Sequence, residues 1–226
     1  MSLGPSRLVA THAFLIKQNR AVIERYYGNH IEWNSKELSS LKNSLRDSLR
    51  KQQEGRCFYC RRVIKQERKN TAEDIEHFLD KSKEKYRRWA FSPVNLSIAC
   101  HPCNFEKSTK DMGDNKISIA KKLTTNAGEY TWLHPYFDSY FDNIEVEDGW
   151  LYKIKANAPH PSRANKLITE CKLDSIKTTE KAGLDLSNRK SRIIILAMHY
   201  FGKNPNRSQR LLAHLQELEN DGWKYL

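Results

Sequence analysis

Apolar residues recur at helical spacing over long stretches of the chain. Between residues 36 and 52, four leucines lie three or four positions apart: Leu38, Leu41, Leu45 and Leu49. A stripe of this kind is typical of an amphipathic helix that packs against a core. Three further helices are predicted at about 162–172, 187–201 and 205–220. The second of these is apolar nearly all round, so we expect it to be buried.

Shorter patterns predict strands in the middle of the chain. Residues 74–78 and 95–99 form two short strand-like runs, and Pro102 suits the first turn of a helix that follows them. Residues 144–154 predict a β-hairpin, because the Asp-Gly pair at 148–149 separates two alternating runs. The expected fold class is therefore α+β and mainly helical.

The chain is strongly basic, and its charge is concentrated in one region. Its 226 residues include 39 Lys and Arg against 27 Asp and Glu, which gives a net charge of +12. Residues 36–70 alone hold 11 Lys and Arg against 4 Asp and Glu. This balance attracts polyanions such as DNA, RNA or an anionic membrane surface, although a charged stretch is often only a solvated face.

Membrane insertion and export are both disfavoured by the sequence. The longest strongly apolar run, residues 193–198, is far shorter than the roughly 20 residues that a membrane-spanning helix needs. The N-terminal region has no apolar stretch of signal-peptide length. An aromatic content of 10% is also too high for a disordered chain. We therefore expect a folded cytoplasmic protein with no membrane partner.

Four of the five cysteines form two C-x-x-C pairs, Cys57 with Cys60 and Cys100 with Cys103. Each pair can place two thiolates on one tight turn, and two pairs supply the four ligands of a closed, structural zinc site. Two disulfides or a redox pair are the alternatives, but the first needs an oxidising compartment and the second a βαβ context. The fifth cysteine, Cys171, lies in a helical pattern and is expected in the core.

The region around the two cysteine pairs resembles the HNH endonucleases. The resemblance rests on Cys57-x-x-Cys60, Glu76-His77, Asn95-Leu96, Cys100-x-x-Cys103-Asn104 and Lys107. It covers about residues 38–110 and implies a small, zinc-stapled ββα-metal core at 53–112. An N-terminal helical arm at 1–52 would precede this core, and a mainly helical region with the hairpin at 113–226 would follow it.

The resemblance also implies a role for each matching residue. His77 corresponds to the general base, and Asn95 to the residue that orients this base by hydrogen bonding. Glu76 and Asn104 correspond to the ligands of a catalytic Mg²⁺ or Mn²⁺ ion, and such ions accept oxygen ligands. Lys107 follows Asn104 by one helical turn and could contact a substrate phosphate.

Several of these assignments have simpler alternatives. Asp74 competes with Glu76 for the metal ion, because both side chains point to the same face of a regular strand. Asn95 could instead cap a turn, Lys107 could be a solvated helix lysine, and the general base could be an ordinary surface histidine. Two other histidines are not expected to take part in catalysis: His101 and His134.

These features favour a metal-dependent endonuclease that hydrolyses phosphodiesters in DNA, with RNA as an open alternative. The segment His134-Pro135-Tyr136-Phe137-Asp138 and the helical C-terminal region are similar to the antiphage PtuB-like branch of the family, of Septu and retron-associated systems. That branch implies a defence role with a PtuA-like ATPase partner. Two other classes stay open: a zinc-stabilised module that binds nucleic acid without catalysis, and a subunit that mainly docks a partner.

Overall fold

The computed structural model of the protein describes residues 3–67, 70–147 and 150–222, and it describes side chains there outside 66–71, 177–186 and 220–222. The helices are α1 (Ala13–Gln18), α2 (Arg20–Tyr27), α3 (Ser39–Gln52), α4 (Glu84–Arg87), α5 (His101–Lys107), α6 (Asn115–Ile119), α7 (Tyr140–Asn143), α8 (Pro161–Glu170), α9 (Leu173–Tyr200) and α10 (Pro205–Gly222). The strands are β1 (Gln66–Glu67), β2 (Asn70–Thr71), β3 (Glu73–His77), β4 (Leu96–Cys100), β5 (Ile144–Glu147) and β6 (Leu151–Ile154). The fold is α+β, with about half of the chain in helices.

Most of the predicted elements are confirmed, with ends that shift by a few residues. The strands predicted at 74–78 and 95–99 are β3 and β4, and the hairpin predicted at 144–154 is formed by β5 and β6. The turn residues predicted for this hairpin, at 148–149, lie outside the described residues. Helix α9 begins at Leu173, well before the predicted start at 187.

β3 and β4 form an antiparallel pair, and α5 follows β4 directly. The register pairs Glu73 with Cys100 at one end and His77 with Leu96 at the other. One end of the pair therefore carries a predicted zinc ligand, and the other end carries the predicted general base. This short ββα unit positions both chemical features of the chain.

The same face of β3 makes two polar contacts with α5. Side chains alternate along a strand, so Asp74 and Glu76 share a face, as the sequence predicted. Asp74 Oδ2 accepts a hydrogen bond from Asn104 Nδ2 at 2.8 Å, and Glu76 forms an ion pair with Lys107 Nζ at 2.6 Å. These contacts follow the rise of the helix, in which residues three apart share a face.

Helix α3 supports the ββα unit with its apolar stripe. The four leucines predicted to face a core are at most 1% exposed: Leu38, Leu41, Leu45 and Leu49. After the helix ends, the Gln53 side chain donates from Nε2 to Ile98 O at 2.9 Å and accepts from Ile98 N at 2.7 Å. This amide thus satisfies both backbone polar groups of Ile98, which a buried strand edge requires.

The segment that follows α6 packs against the ββα unit. The hydroxyl group of Tyr136 donates to Leu96 O at 2.5 Å, and that of Tyr140 donates to Tyr59 O at 2.8 Å. Trp132 is fully buried and donates from Nε1 to Glu170 at 2.7 Å. Residues far from the cysteine pairs in sequence therefore complete the core that the short unit cannot build alone.

The chain divides into two compact units. The first comprises Met1–Glu145 and Lys153–Leu173, and the second comprises Val146–Tyr152 and Asp174–Leu226. Both cysteine pairs and all the predicted catalytic residues belong to the first unit. The predicted segments 1–52, 53–112 and 113–226 divide the chain differently and stay a prediction.

In the second unit, the prediction that the helix at 187–201 is buried is wrong. Ile193 and Ala197 are buried, but neighbouring apolar side chains are 43% to 74% exposed: Ile194, Ile195, Leu196, Met198 and Phe201. Packing inside this unit covers one face of α9, and its apolar residues extend beyond that face.

Asn204 caps α10 as expected, because its Oδ1 accepts a hydrogen bond from Arg207 N at 3.1 Å. Among the described helices, none combines the length and apolarity needed to cross a membrane.

Candidate active site and metal centre

The sulfur atoms of the two C-x-x-C pairs come together at the end of β4. All four lie within 4.8 Å of one another, and Cys60 Sγ lies 3.8 Å from Cys100 Sγ. A tetrahedral zinc ion with Zn–S bonds of about 2.3 Å places its ligands about 3.8 Å apart, so the donor set fits a metal ion such as zinc.

The surroundings of this cluster agree with a structural role. None of the five cysteines forms a disulfide, and Cys57, Cys60 and Cys103 are buried. Cys171 is 3% exposed and its Sγ lies 3.8 Å from Cys103 O, so the prediction of a core cysteine is confirmed. Across the described residues, no other group of three or more His, Cys, Asp and Glu side chains is arranged to hold a metal ion.

A second polar feature of the first unit is a cavity of about 270 Å³ beside β3. It is lined by Trp33, Asn34, Lys42, Arg46, Asp74, Ile75, Lys81 and Asn104. Three cations therefore face one carboxylate, which gives the cavity a positive potential. Partial burial and then the charges of Arg46 and Lys81 lower the pKa of Lys42, as expected where cations gather without enough counter-charge. We call this space the polar cavity.

His77 is connected to the polar cavity through Trp33, one of the residues that line it. Its ring packs edge-to-face against Trp33, with 4.5 Å between the ring centroids. Its Nε2 atom lies 3.1 Å from Ala90 O. A carbonyl oxygen only accepts hydrogen bonds, so Nε2 carries the hydrogen and Nδ1 is the unprotonated nitrogen. In the described part of the chain, Nδ1 has no hydrogen-bond partner.

The environment of His77 keeps the imidazole neutral. The side chain is 4% exposed, and this burial is the main cause that lowers its pKa well below the usual range. The charges of Lys81 and Lys107 lower the pKa further, because a second positive charge nearby is unfavourable. At pH 7 the ring is therefore an unprotonated base with a fixed orientation.

Asp74 and Asn104 provide oxygen atoms at the wall of the polar cavity. The carboxylate of Asp74 is 32% exposed, and its Oδ2 lies 2.6 Å from Nδ1 of His101 and 2.8 Å from Nδ2 of Asn104. His101 is itself exposed, as expected. A carboxylate and an amide fit Mg²⁺ or Mn²⁺, since Mg²⁺ is commonly held by one or two protein oxygens and several waters.

Glu76 and Lys107 form a buried pair, which corrects the role predicted for the lysine. Lys107 is 1% exposed, and its Nζ contacts Glu76 at 2.6 Å and donates to His77 O at 2.9 Å. A lysine without solvent contact and with both partners in the protein is not placed to bind a substrate phosphate. Burial raises the pKa of Glu76, Lys107 opposes this shift, and Tyr59 donates a hydrogen bond to the same carboxylate at 3.2 Å.

Asn95 is buried, but its hydrogen bonds differ from those expected. Its Oδ1 accepts from Leu79 N at 2.7 Å, and its Nδ2 donates to Leu79 O at 3.1 Å and to Trp89 O at 3.0 Å. The amide therefore fixes the loop after β3 and does not contact the imidazole. The carbonyl group that holds the imidazole belongs to Ala90, next to Trp89, so Asn95 supports the orientation of His77 indirectly.

Four residues of the polar cavity were missed by the sequence analysis. Trp33, Lys42, Arg46 and Lys81 come from segments before α3, within α3 and after β3. Lys42 and Arg46 belong to the region 36–70, whose excess of positive charge the sequence showed. Sequence spacing did not predict which cations meet beside β3. Tertiary packing selects them.

His134 lies outside the polar cavity, as predicted. It is fully buried, with its ring stacked on Phe137 at 4.1 Å and tilted against Phe78 at 4.5 Å between centroids. Burial lowers its pKa well below the usual range. This histidine is therefore part of the aromatic core of the first unit.

Comparisons of the chain with protein-family models, with curated proteins and with solved structures find no match. A functional assignment therefore depends on the residues and the geometry described above.

Proposed function

We propose that the protein is a metal-dependent endonuclease that hydrolyses the phosphodiester bonds of nucleic acids. One observation carries the proposal: a neutral, oriented histidine packs against Trp33, which lines a positively charged cavity that also presents a carboxylate and an amide. A basic surface alone would explain binding to a polyanion. It would give no reason for a buried imidazole with an unprotonated nitrogen beside that surface.

In this proposal, Asp74 and Asn104 would hold the divalent metal ion. Both line the polar cavity, whereas Glu76 is 5% exposed and is neutralised by its ion pair with Lys107. This geometry favours Asp74, which was the alternative in the sequence analysis, over Glu76, which the sequence analysis preferred. When bound, Mg²⁺ or Mn²⁺ would stabilise negative charge on the phosphate and on the departing sugar oxygen.

Lys42, Arg46 and Lys81 would bind the phosphate backbone in place of Lys107. All three line the polar cavity together with the carboxylate of Asp74, and Arg46 Nε also lies 3.5 Å from Oε1 of the buried Glu73. Cations arranged in this way neutralise phosphates and position the chain without reading its bases. Low sequence specificity is the expected consequence.

The reaction follows from these positions. The oxygen atom of a water molecule attacks the phosphorus atom, and Nδ1 of His77 takes the proton of that water. The bond between phosphorus and the 3′ oxygen breaks, and the departing oxygen takes a proton from solvent water, which leaves a 5′ phosphate and a 3′ hydroxyl group. The protein holds the base and the phosphate in place, so much of the rate gain comes from orientation. DNA is the substrate we favour, and RNA is the alternative because it has the same linkage.

A partner-docking role is the second candidate, and it concerns the second unit. Apolar residues that line a cavity of about 270 Å³ on α9 and α10 are exposed: Ile194, Met198, Phe201 and Leu212. Exposed apolar patches often mark protein interaction sites. This surface supports the docking of a partner protein. A cytoplasmic effector of antiphage defence that acts with a PtuA-like ATPase is proposed from the PtuB-like resemblance alone.

The nuclease proposal is tested by cleavage of two polymers at once. Purified protein is incubated with supercoiled plasmid and total RNA in the presence of Mg²⁺ or Mn²⁺, beside His77→Ala and the matched variant His214→Ala. His214 is an exposed histidine of the second unit, outside the polar cavity. We expect metal-dependent cleavage that falls by about 10²–10⁴-fold in His77→Ala and is unchanged in His214→Ala.

Two results would contradict the nuclease proposal. Equal cleavage by wild type and His77→Ala would mean that the histidine is not the base. No cleavage of either polymer would reject a nuclease that acts alone. A repeat with the candidate ATPase present would then decide between a partner-dependent nuclease and a non-catalytic module.

A further inference from the structure

Trp33 lies between the polar cavity and a second cavity of the first unit. The second cavity has a volume of about 520 Å³ and is lined by Tyr26, Asn29, Ile31, Glu32, Trp33, Lys81, Ser82 and Arg87. Two residues, Trp33 and Lys81, line both cavities. A polymer that extends from the polar cavity into the second cavity would pass these two side chains.

The indole ring of Trp33 is held close to the proposed base and is flanked by cations. It contacts His77 at 4.5 Å and Phe91 at 5.3 Å between ring centroids. The ammonium groups of Lys42 and Lys81 lie 5.5 Å and 5.3 Å from its centroid. The residue is only partly buried. Trp33 is therefore a partly exposed aromatic residue with cations beside its ring. An ordinary core tryptophan is instead enclosed by apolar side chains.

This combination matches the way proteins hold unpaired nucleic acid. Such proteins pair a positively charged path for the phosphates with aromatic rings on which bases stack. Lys42 and Lys81 supply the charge, and Trp33 supplies a large flat ring. A base inside a duplex is covered on both faces by its neighbours, so it cannot stack on a protein ring unless it leaves the helix.

We propose that Trp33 stacks on the base next to the scissile phosphate, and that the substrate is therefore a single strand or an unpaired stretch of nucleic acid. This inference rests on the proposed nuclease function and narrows its substrate class. The second cavity, with Arg87 and Lys81 in its wall, would receive the nucleotides that follow the stacked base.

The test compares variants of Trp33 on matched substrates. Trp33→Phe keeps an aromatic ring, and Trp33→Leu keeps an apolar side chain without a ring. Phe14→Ala is the control, because Phe14 is a 56% exposed aromatic residue that lines neither cavity. Each variant is assayed for kcat and KM on one oligonucleotide, first as a single strand and then as a duplex, after thermal unfolding shows that it folds.

We expect the wild type to prefer the single strand. Trp33→Leu should raise KM for the single strand on the order of tenfold, while Trp33→Phe and Phe14→Ala should stay close to wild type. An abasic site next to the cleaved bond should weaken the wild type by a similar factor and should have little further effect on Trp33→Leu. Equal losses on single strand and duplex, or faster cleavage by Trp33→Leu, would overturn the inference; faster cleavage would instead identify Trp33 as a lid over His77.

Binding measurements separate this inference from the nuclease proposal. Fluorescence anisotropy of a labelled single strand is measured with His77→Ala and with the double variant His77→Ala/Trp33→Leu, without added Mg²⁺ or Mn²⁺. Weaker binding by the double variant supports stacking even if no chain cleaves nucleic acid. Equal binding by both, with normal cleavage by the wild type, rejects stacking and leaves the nuclease proposal intact.

Discussion

The cysteine cluster and the polar cavity are two places in one unit where a metal ion could bind, and they differ in almost every respect. The cluster has four sulfur ligands, three of them on buried residues, and its ligand set is complete. The cavity presents one partly exposed carboxylate and one amide, surrounded by cations. A complete ligand set leaves no position for water or substrate, whereas an incomplete one leaves several. In the nuclease proposal, the first site would stabilise the fold and the second would perform the chemistry.

The two sites also use burial in different ways. At the cluster, burial shields ligands that come from the segment before β3, from the end of β4 and from α5. At the cavity, burial acts on single groups: it keeps His77 neutral and encloses the pair of Glu76 and Lys107. Effects on stability can therefore be separated from effects on cleavage.

Removal of the metal ion from the cysteine cluster should have the largest effect. Structural zinc contributes about 10–16 kcal/mol in small zinc domains, and the ββα unit has little core of its own. We expect Cys100→Ser to lose zinc and to lower the thermal unfolding temperature sharply, whereas Cys171→Ala should retain zinc and lose little stability. Metal analysis and circular dichroism measure both. If Cys100→Ser holds as much zinc as Cys171→Ala, the cluster is not a metal site.

Charge removal at Asp74 and at Glu76, which share one face of β3, should have opposite consequences. Asp74→Asn should reduce metal-dependent cleavage on the order of 100-fold with little change in stability, because Asp74 is partly exposed. Glu76→Gln should lower the free energy of unfolding by about 3 kcal/mol, because it leaves the ammonium group of Lys107 buried without its counter-charge. Urea unfolding and cleavage rates are measured on both variants. The reverse pattern would assign the metal to Glu76.

Acid should affect stability before it affects the base. Burial lowers the pKa of His12 to about 4 and that of His134 well below the usual value near 6.5. A lowered pKa means that the unfolded chain binds protons that the folded chain does not bind. Stability is therefore full above about pH 6.5 and is lost progressively as the pH falls toward 4, by about 1.4 kcal/mol per unit of pKa shift for each group.

The matching prediction for His77 concerns the rate of cleavage. Because its pKa is also lowered, the neutral base persists below pH 6.5, and the acidic limb of the rate profile should lie below that value. Single-turnover rates between pH 5 and 8, with unfolding measured at each pH, test both statements. A rate that halves near pH 6.5 while the protein stays folded would show that the base has an ordinary pKa.

Single cations of the polar cavity should have the smallest effects. Arg46→Gln and Lys42→Gln should each weaken nucleic-acid binding several-fold and reduce the slope of log affinity against log salt by about 0.7 to 0.9. Lys51→Gln is the matched control, because Lys51 is an exposed cation of α3 that does not line the cavity. Equal slopes for all three variants would mean that the cavity cations make no phosphate contacts.

The sequence was most informative where chemistry depends on local spacing. The two C-x-x-C pairs predicted a four-ligand cluster, and the alternation in β3 predicted that Asp74 and Glu76 share a face. The sequence was less informative about which side chains form ion pairs with one another. Lys107 follows Asn104 by one helical turn, which suggested a phosphate contact, but the side chain lies under the strand and pairs with Glu76. Helical spacing predicts the face of the helix on which a side chain lies, but it does not predict which residues pack over that face.

The apolar helix of the second unit illustrates the same limit. Its composition indicated complete burial, yet Ile195 and Met198 are 66% and 73% exposed. Burial of an apolar side chain is favourable. Whether the side chain is buried depends on which other parts of the chain pack against it. The exposed patch is therefore a property of the assembled unit.

The sequence alone determined helices α3, α8 and α10, strands β3 to β6, the two C-x-x-C pairs and the place of the histidine beside its acidic neighbours, because these depend on patterns within a few residues. Only the tertiary structure decided which of two carboxylates faces the polar cavity, which cations gather there, and that Trp33 lies beside His77. Those choices depend on packing between segments that are distant along the chain. Burial, which sets the charge state of His77 and pairs Glu76 with Lys107, is likewise fixed only when these segments meet.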